Sequence, residues 1–187
     1  MVRVTRNRTR GVYMTVKALE WEGLELYCPC RHRMSLVMRN GDMMMQPCSD
    51  EQALKNPVLP GFMFVKCSEK LFEQLLEVQI GGLTPYYDHF HTNSKGRNPY
   101  LWVPDAEMDN FQRFCSCGDD DHKLFDQIDV PSYLNGRTVR ITSGPFKGVV
   151  GTVLRWHGMR RVFVTLGDVA TFGTGFIRSC DFELLLS

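Results

Sequence analysis

The sequence predicts an α+β protein with two domains, an antiparallel sheet flanked by helices followed by a small SH3-like β-barrel. Three observations support this fold class. Up to about residue 117 the apolar periodicity alternates between helical and strand types. A polar, acidic stretch follows at about 118–131, and after it every periodic signal is of the strand type. We therefore expect a first domain at 1–117, a flexible linker at 118–131 and a barrel at 132–187.

The composition is that of an ordinary folded protein. The chain has 187 residues, of which 43% are hydrophobic and 23% charged, with a net charge of +1. No stretch approaches the ~18 apolar residues that a membrane span needs, and the basic N-terminus leads into no apolar signal segment. The odd count of seven cysteines without such a signal indicates reduced thiols. We expect a cytoplasmic monomer without membrane contact.

The elements of the first domain follow from spacing and from breakers. Val2 and Val4 alternate with polar residues, which predicts a short strand. A helix is predicted over 9–21, capped by Thr9 and ended by Gly23. A strand over 24–28 follows, and residues 31–57 are predicted to be an irregular or hairpin insertion.

The second half of this domain repeats the pattern. Residues 59–61 form a predicted turn that leads into an apolar strand at 62–65. Ser68 can cap the next helix, whose apolar face ends before Gly81-Gly82. A strand at 101–103 precedes a last helix, which has an apolar stripe at Met108, Phe111 and Cys115.

Charge is unevenly distributed along the chain. Residues 1–40 carry eight basic and three acidic side chains, and residues 132–187 carry seven and three, whereas the middle of the chain is acidic. Nucleic acid is therefore compatible with either end, and charge alone does not identify the partner.

The most specific feature is the segment 137–153. A strand ends at Ser143, Gly144 allows a sharp turn, Pro145 fixes φ, and Phe146 and Lys147 are expected at the loop tip. This segment resembles the KOW motif of transcription and ribosomal proteins. Such a motif alone is compatible with three classes of protein: ribosomal proteins, elongation factors and RNA-binding proteins.

The upstream half narrows these alternatives. The segments 18–29, 59–65 and 103–108 resemble the N-terminal domain of the NusG family in register, so the resemblance covers nearly the whole chain. The cysteine content, the insertion at 31–57 and an extended loop at 86–100 make the chain more similar to specialised RfaH-like paralogues, including those of capsular loci, than to the housekeeping factor. The chain departs from the family in its first strand, which lacks the usual aromatic pair. Arg6 stands where RfaH-like proteins have an aromatic, and their DNA-reading arginine near Glu73-Gln74 is absent.

The resemblance implies a transcription elongation and antitermination factor that suppresses pausing or termination. It implies contacts with the clamp helices of RNA polymerase through an apolar patch, here Phe62, Phe64, Leu59 and Val4. Because Phe62 and Phe64 are two apart on a strand, they share one sheet face, while Met63 and Val65 enter the core. From burial statistics alone, two such phenylalanines are more often core residues.

Two further sets of contacts are implied. Basic residues of the first strand and of the segment after it are expected to contact the non-template DNA: Arg3, Arg6, Arg8 and Arg10. A solvated basic edge is the alternative. The KOW loop is expected to bind a small-subunit ribosomal protein or Rho through Gly144, Pro145, Phe146 and Lys147, unless Phe146 folds back over the barrel.

No catalytic residue, metal or cofactor is predicted. The pairs Cys28-x-Cys30 and Cys115-x-Cys117 lack the spacing of two to four residues that structural zinc sites use. No nucleophile elbow, phosphate-binding glycine loop or H-E-x-x-H motif is present in the sequence. The alternative function is a ribosome-associated or RNA-binding KOW protein that does not bind polymerase.

Overall fold

The computed structural model describes residues 2–4, 8–30, 34–39, 42–47, 53–55, 57–89, 91–94, 96–116, 123–125, 136–156, 158–166 and 170–185. The chain divides into two compact units, Met1–Trp102 and Val103–Ser187. Helices and antiparallel sheets occur in the mixed order expected, which confirms the α+β class.

The described part of the first unit contains these strands and helices: β1 (Val2–Val4), α1 (Thr9–Lys17), β2 (Glu25–Tyr27), β3 (Met34–Arg39), β4 (Asp42–Pro47), β5 (Phe62–Lys66), α2 (Glu69–Glu77) and β6 (Leu83–Pro85). Four strands form an antiparallel sheet in the order β2-β5-β1-β6, with Val2 opposite both Met63 and Pro85. The strands β3 and β4 form a separate hairpin, which confirms the hairpin alternative for part of 31–57.

One face of the four-stranded sheet and both helices enclose the core of this unit. The buried cluster comprises Val2, Val4, Val12, Val16, Met63, Val65, Phe72, Leu75 and Leu83. The alternation along β5 and the i, i+4 spacing in α1 both place apolar side chains in this cluster, as periodicity predicts.

The two helices differ in how well the sequence predicted their ends. Helix α2 begins as expected, because the Leu71 amide donates to Ser68 Oγ over 3.3 Å. Helix α1 ends at Lys17, whereas the sequence predicted an end at residue 21. Glu20, three residues after the helix, has a φ of 49°, which is not helical. Thr9 is the first helical residue and is buried, so the cap predicted for it is wrong.

Among its described residues, the second unit contains a helix followed by strands: α3 (Asp105–Ser116), β7 (Lys123–Phe125), β8 (Arg137–Ile141), β9 (Val150–Trp156), β10 (Met159–Leu166), β11 (Ala170–Gly173) and β12 (Phe182–Leu184). The strands form one antiparallel sheet in the order β12-β8-β9-β10-β11-β7.

The predicted domain limits differ from these units in two places. Helix α3, which we assigned to residues 1–117, belongs to the compact unit of the sheet β7–β12. Within the predicted linker 118–131, Lys123–Phe125 form β7 and pair with β11. The acidic run Asp119–Asp121 lies outside the described residues. Residues 101–103 form no strand; before them, Tyr87 and Tyr100 form an isolated bridge.

Gly151 is essential for the approach of β9 to β10. A Cβ added at Gly151 would overlap the Phe163 carbonyl oxygen and lie 2.8 Å from Val162 Cγ1. We expect Gly151→Ala to lower the free energy of unfolding by about 3 kcal/mol, because backbone atoms cannot move aside as a side chain can. Urea unfolding of the full chain measures this. Gly11→Ala is the control, since open space surrounds Gly11 and alanine favours a helix. Equal stability of both variants would contradict this account of the strand spacing.

In the described part of the chain, no helix combines the length and the apolar character needed to cross a membrane.

Candidate functional site

The outer face of the four-stranded sheet, opposite the core, presents aromatic side chains. Met63 and Val65 belong to the core cluster, whereas Phe62 and Phe64 do not. In register, Phe64 pairs with Tyr27 and Phe62 pairs with Arg3. The alternation along β5 thus separates a core set from an outer set, and we call Tyr27, Phe62, Phe64 and Tyr86 the aromatic face.

The rings of the aromatic face contact one another in two pairs. The ring centroids of Tyr27 and Phe64 are 6.2 Å apart. Those of Phe62 and Tyr86 are 5.4 Å apart, edge to face at 77°. Such pairs contribute about 0.5–1.5 kcal/mol beyond area burial, so they hold each other in fixed positions. Tyr27 and Tyr86 were not predicted from the sequence to belong to this surface. Tyr27 is recognised only when β2 is known to pair with β5, because that pairing sets Tyr27 opposite Phe64.

The members of this face differ in exposure. Phe62 and Tyr86 are half-buried, whereas Phe64 is only 5% exposed. Tyr27 is half-buried as well, so Phe62, Tyr86 and Tyr27 supply the accessible ring surface, while Phe64 packs against Tyr27. A partner would contact these three rings more extensively than Phe64.

The two remaining residues of the predicted patch are buried. Val4 is 4% exposed and packs in the core cluster, because it shares the inner face with Val2. Its predicted contact with a partner is therefore corrected to a core role. Leu59 is also buried, and its carbonyl accepts from the Phe62 amide over 3.3 Å in the turn before β5. Leu59 therefore positions Phe62.

The predicted DNA-contacting residues are distributed around β1 and the start of α1. Arg3 pairs in register with Phe62 and Thr84. Arg8 and Arg10 are exposed, and Arg8 Nη1 would lie 3.5 Å from a Cβ added at Gly81. Arg8 is therefore next to the Gly81-Gly82 turn. Arg6 lies outside the described residues.

The cysteine pair of the first unit lies beside a small cavity. Cys28 is half-buried, and Cys28 and Cys30 line a cavity of about 160 Å³ with Tyr13, Tyr27 and Leu54 among its other walls. A hydrogen bond from the Cys30 side chain lowers the pKa of Cys28, although burial opposes the shift.

Among the described residues, no three His, Cys, Asp or Glu side chains lie close enough together to form a metal site. Cys117, His32 and His122 lie outside those residues.

The KOW loop differs from its prediction at one residue. Gly144, Pro145 and Lys147 are exposed, and Gly144 takes the left-handed conformation (φ 79°) that the sharp turn requires. Phe146 is instead 2% exposed, and its ring stacks on Phe114 of α3 with centroids 5.5 Å apart. The prediction of an exposed Phe146 is corrected: the helix α3 covers it.

Within the second unit, helix α3 contacts the strands and the KOW loop through apolar rings and one side-chain amide. Phe111 packs on Phe172 with ring centroids 4.7 Å apart. The Asn110 amide group donates to the Val150 carbonyl (2.6 Å) and accepts from the Val150 amide (2.8 Å). Asn110 therefore satisfies both backbone groups of a strand residue, as a neighbouring strand would. Periodicity predicted Phe111 on the buried stripe but missed Phe114 and Asn110.

The Asn110 contact makes a specific prediction. Asn110→Ala removes both hydrogen bonds to Val150. Asn110→Asp keeps the oxygen that accepts from the Val150 amide but loses the group that donates to the Val150 carbonyl. We expect losses of about 1–3 kcal/mol in unfolding free energy for both variants, because alanine leaves both half-buried backbone groups of Val150 without this partner and aspartate sets a carboxylate oxygen against the Val150 carbonyl oxygen. Hydrogen exchange at the Val150 amide measures this, with Asp109→Asn as the exposed control. Unchanged protection of Val150 in Asn110→Ala would contradict the assignment.

Comparisons with known proteins identify one segment directly. Residues 135–165 match the KOW motif family. The chain is similar to a structure titled "Domain interaction in Thermotoga maritima NusG", with 13% sequence identity, a TM-score of 0.45 and coverage of 97% of this chain and 94% of that chain. No curated protein matches the sequence significantly. The second unit therefore carries a KOW motif.

Proposed function

We propose that the chain is a NusG-like transcription elongation and antitermination factor without catalytic activity. Its first unit binds RNA polymerase through the aromatic face and suppresses pausing or termination. The observation that carries this proposal is the outer sheet face, where Phe62 and Tyr86 are half-buried and contact each other while Met63 and Val65 of β5 fill the core. The KOW motif at 135–165 and the family resemblance of the upstream segments support it.

The aromatic face has the properties of a protein-binding surface. Aromatic side chains that are fixed before binding lose little conformational entropy and supply much contact area, which is why they dominate interface hot spots. The edge-to-face pair of Phe62 and Tyr86 is fixed in this way. A sheet face of this kind suits the apolar side of one or two packed helices, such as the polymerase clamp helices.

The basic residues of β1 and of the start of α1 suit the non-template DNA strand. Arg8 and Arg10 are exposed at the start of α1, and β1 carries Arg3 at its centre. Contacts with DNA phosphates require cations in suitable positions but no recognition of the bases. The absence of the arginine with which RfaH-like proteins read DNA therefore does not prevent these contacts. We assign Arg3, Arg6, Arg8 and Arg10 to this role.

The second unit recruits a partner, in this proposal, through its KOW loop. Gly144, Pro145 and Lys147 form the exposed tip, and Phe146 supports that tip from below. The partner is a small-subunit ribosomal protein or Rho. While Phe114 stacks on Phe146, the loop offers its backbone, Pro145 and the Lys147 ammonium rather than an aromatic anchor.

One observation favours the alternative of a ribosome-associated or RNA-binding protein. Exposed cations on the second unit include Arg137, Arg140, Lys147 and Arg155. Arg161 does not join them, because it is buried and donates to the Thr174 carbonyl over 2.7 Å. This alternative predicts RNA binding that does not require polymerase.

A pausing assay tests the proposed function. Bacterial RNA polymerase is halted on a template with a defined pause, and the pause half-life is measured with and without the full chain. We expect a shorter half-life with the wild type and a smaller effect with Phe62→Ser. An unchanged half-life, together with polymerase-independent RNA binding, would favour the alternative.

A further inference from the structure

The helical side of the first unit carries an open groove that the proposed function does not use. The groove has a volume of about 620 Å³. It is lined by Trp21 and Glu22, from the segment after α1, and by four residues of α2 and its C-cap: Leu71, Gln74, Glu77 and Val78. This volume lies in the range of about 300–1,000 Å³ typical of ligand sites.

The floor of the groove is apolar. Trp21 is half-buried and packs against the core cluster, which fixes its ring. Leu71 is half-buried beside it, and Val78 is 45% exposed. An apolar side chain of a partner would therefore remove Val78 and Trp21 surface from water, which is favourable.

The rim of the groove is negative. Glu22 and Glu77 are both exposed there, and within the described part of the chain neither forms an ion pair. Glu77 ends α2, whose last turn carries no basic residue. A carboxylate at a helix C-terminus is repelled by the negative end of the helix dipole, so Glu77 destabilises α2 at this position. This charge arrangement suits a cation bound from outside.

The backbone beside the groove takes the left-handed conformation at two positions. Among the described residues, Glu20 (φ 49°) and Gln79 (φ 53°) are the non-glycine residues with positive φ. Glu20 precedes Trp21, and Gln79 follows Val78, the C-cap residue of α2. A left-handed residue after the C-cap is a common way to end a helix.

We propose that this groove binds a cationic peptide segment of a partner protein. An apolar side chain of the segment lies on Trp21 and Val78, and flanking Arg or Lys side chains pair with Glu22 and Glu77. Nucleic acid does not suit the groove, because its phosphates would face two carboxylates and a helix C-terminus. The site is independent of the aromatic face, so its test does not depend on polymerase binding.

The experiment uses the ¹⁵N-labelled full chain and the peptide acetyl-Arg-Leu-Leu-Arg-amide. The indole N–H signal of Trp21 reports on the groove, and the amide signal of Val139, which is buried in the second unit, is the reference. We expect the peptide to shift the Trp21 indole and Val78 amide signals, with little change at Val139. The double variant Glu22→Gln/Glu77→Gln should bind about tenfold more weakly. Glu183→Gln, which removes an exposed carboxylate elsewhere, should bind like the wild type.

Three results would overturn this proposal. An acidic peptide, acetyl-Glu-Leu-Leu-Glu-amide, should avoid the groove, so equal shifts with it would remove the charge argument. Larger shifts with a single-stranded oligonucleotide would assign the groove to nucleic acid. Wild-type affinity in the double variant, with its fold intact by circular dichroism, would show that the carboxylates do not bind the peptide.

Discussion

Replacing Phe146 by alanine is expected to lower the unfolding free energy of the second unit by about 3–5 kcal/mol. The ring is 2% exposed and stacks on Phe114, which in turn lies 5.9 Å from Phe172, centroid to centroid. Truncation therefore leaves a cavity between α3 and the sheet, and it removes part of the surface on which α3 packs. Urea unfolding of the full chain measures the loss.

Lys147→Ala is the matched control for this variant. Lys147 is adjacent and exposed, so its truncation should change the unfolding free energy by less than about 0.5 kcal/mol. If Phe146→Ala were as stable as Lys147→Ala, the ring would be exposed at the loop tip, and α3 would not cover it.

Replacing Phe62 by serine is expected to weaken binding to RNA polymerase by about 30- to 1,000-fold, the range of interface hot spots. The ring is half-buried, and its edge-to-face contact with Tyr86 favours one orientation of both side chains. Serine removes both the anchor and this ring contact. Affinity is measured with immobilised full-length protein and purified bacterial polymerase.

Phe176→Ser is the control, because Phe176 is 60% exposed and lies in the other unit. It should bind polymerase like the wild type. Phe64 is less suitable for this test, since it is nearly buried and its truncation would change stability as well as binding. Wild-type affinity in a folded Phe62→Ser variant would remove the aromatic face from the proposed interface.

Local patterns in the sequence were sufficient for much of the first unit. Ser68 caps α2 because its hydroxyl lies three residues before an amide that needs an acceptor. The alternation of Phe62, Met63, Phe64 and Val65 separated the core set from the outer set, because successive side chains of a strand point to opposite faces.

Such local patterns could not predict the burial of Phe146. The stripe at Phe111 predicts that α3 has a buried face, but periodicity does not identify the sheet that buries it. Only the three-dimensional arrangement brings Phe114 onto Phe146, 32 residues apart in the sequence. The same limit applies to Tyr86, whose contact with Phe62 joins residues after β6 to β5.

The position of α3 also affects how the chain should be divided for experiments. A fragment ending at 117 would contain α3 without the sheet that covers Phe111 and Phe114. Its exposed apolar face would favour aggregation and nonspecific binding. A fragment ending at Trp102 follows the compact unit and avoids this problem.

The most direct test of the polymerase-binding proposal is retention of purified bacterial RNA polymerase on the immobilised full chain and on residues 1–102. The account predicts that residues 1–102 retain polymerase and that Phe62→Ser removes this retention from both proteins. Failure of both wild-type proteins to retain polymerase, while the full chain retains RNA or ribosomes, would contradict it.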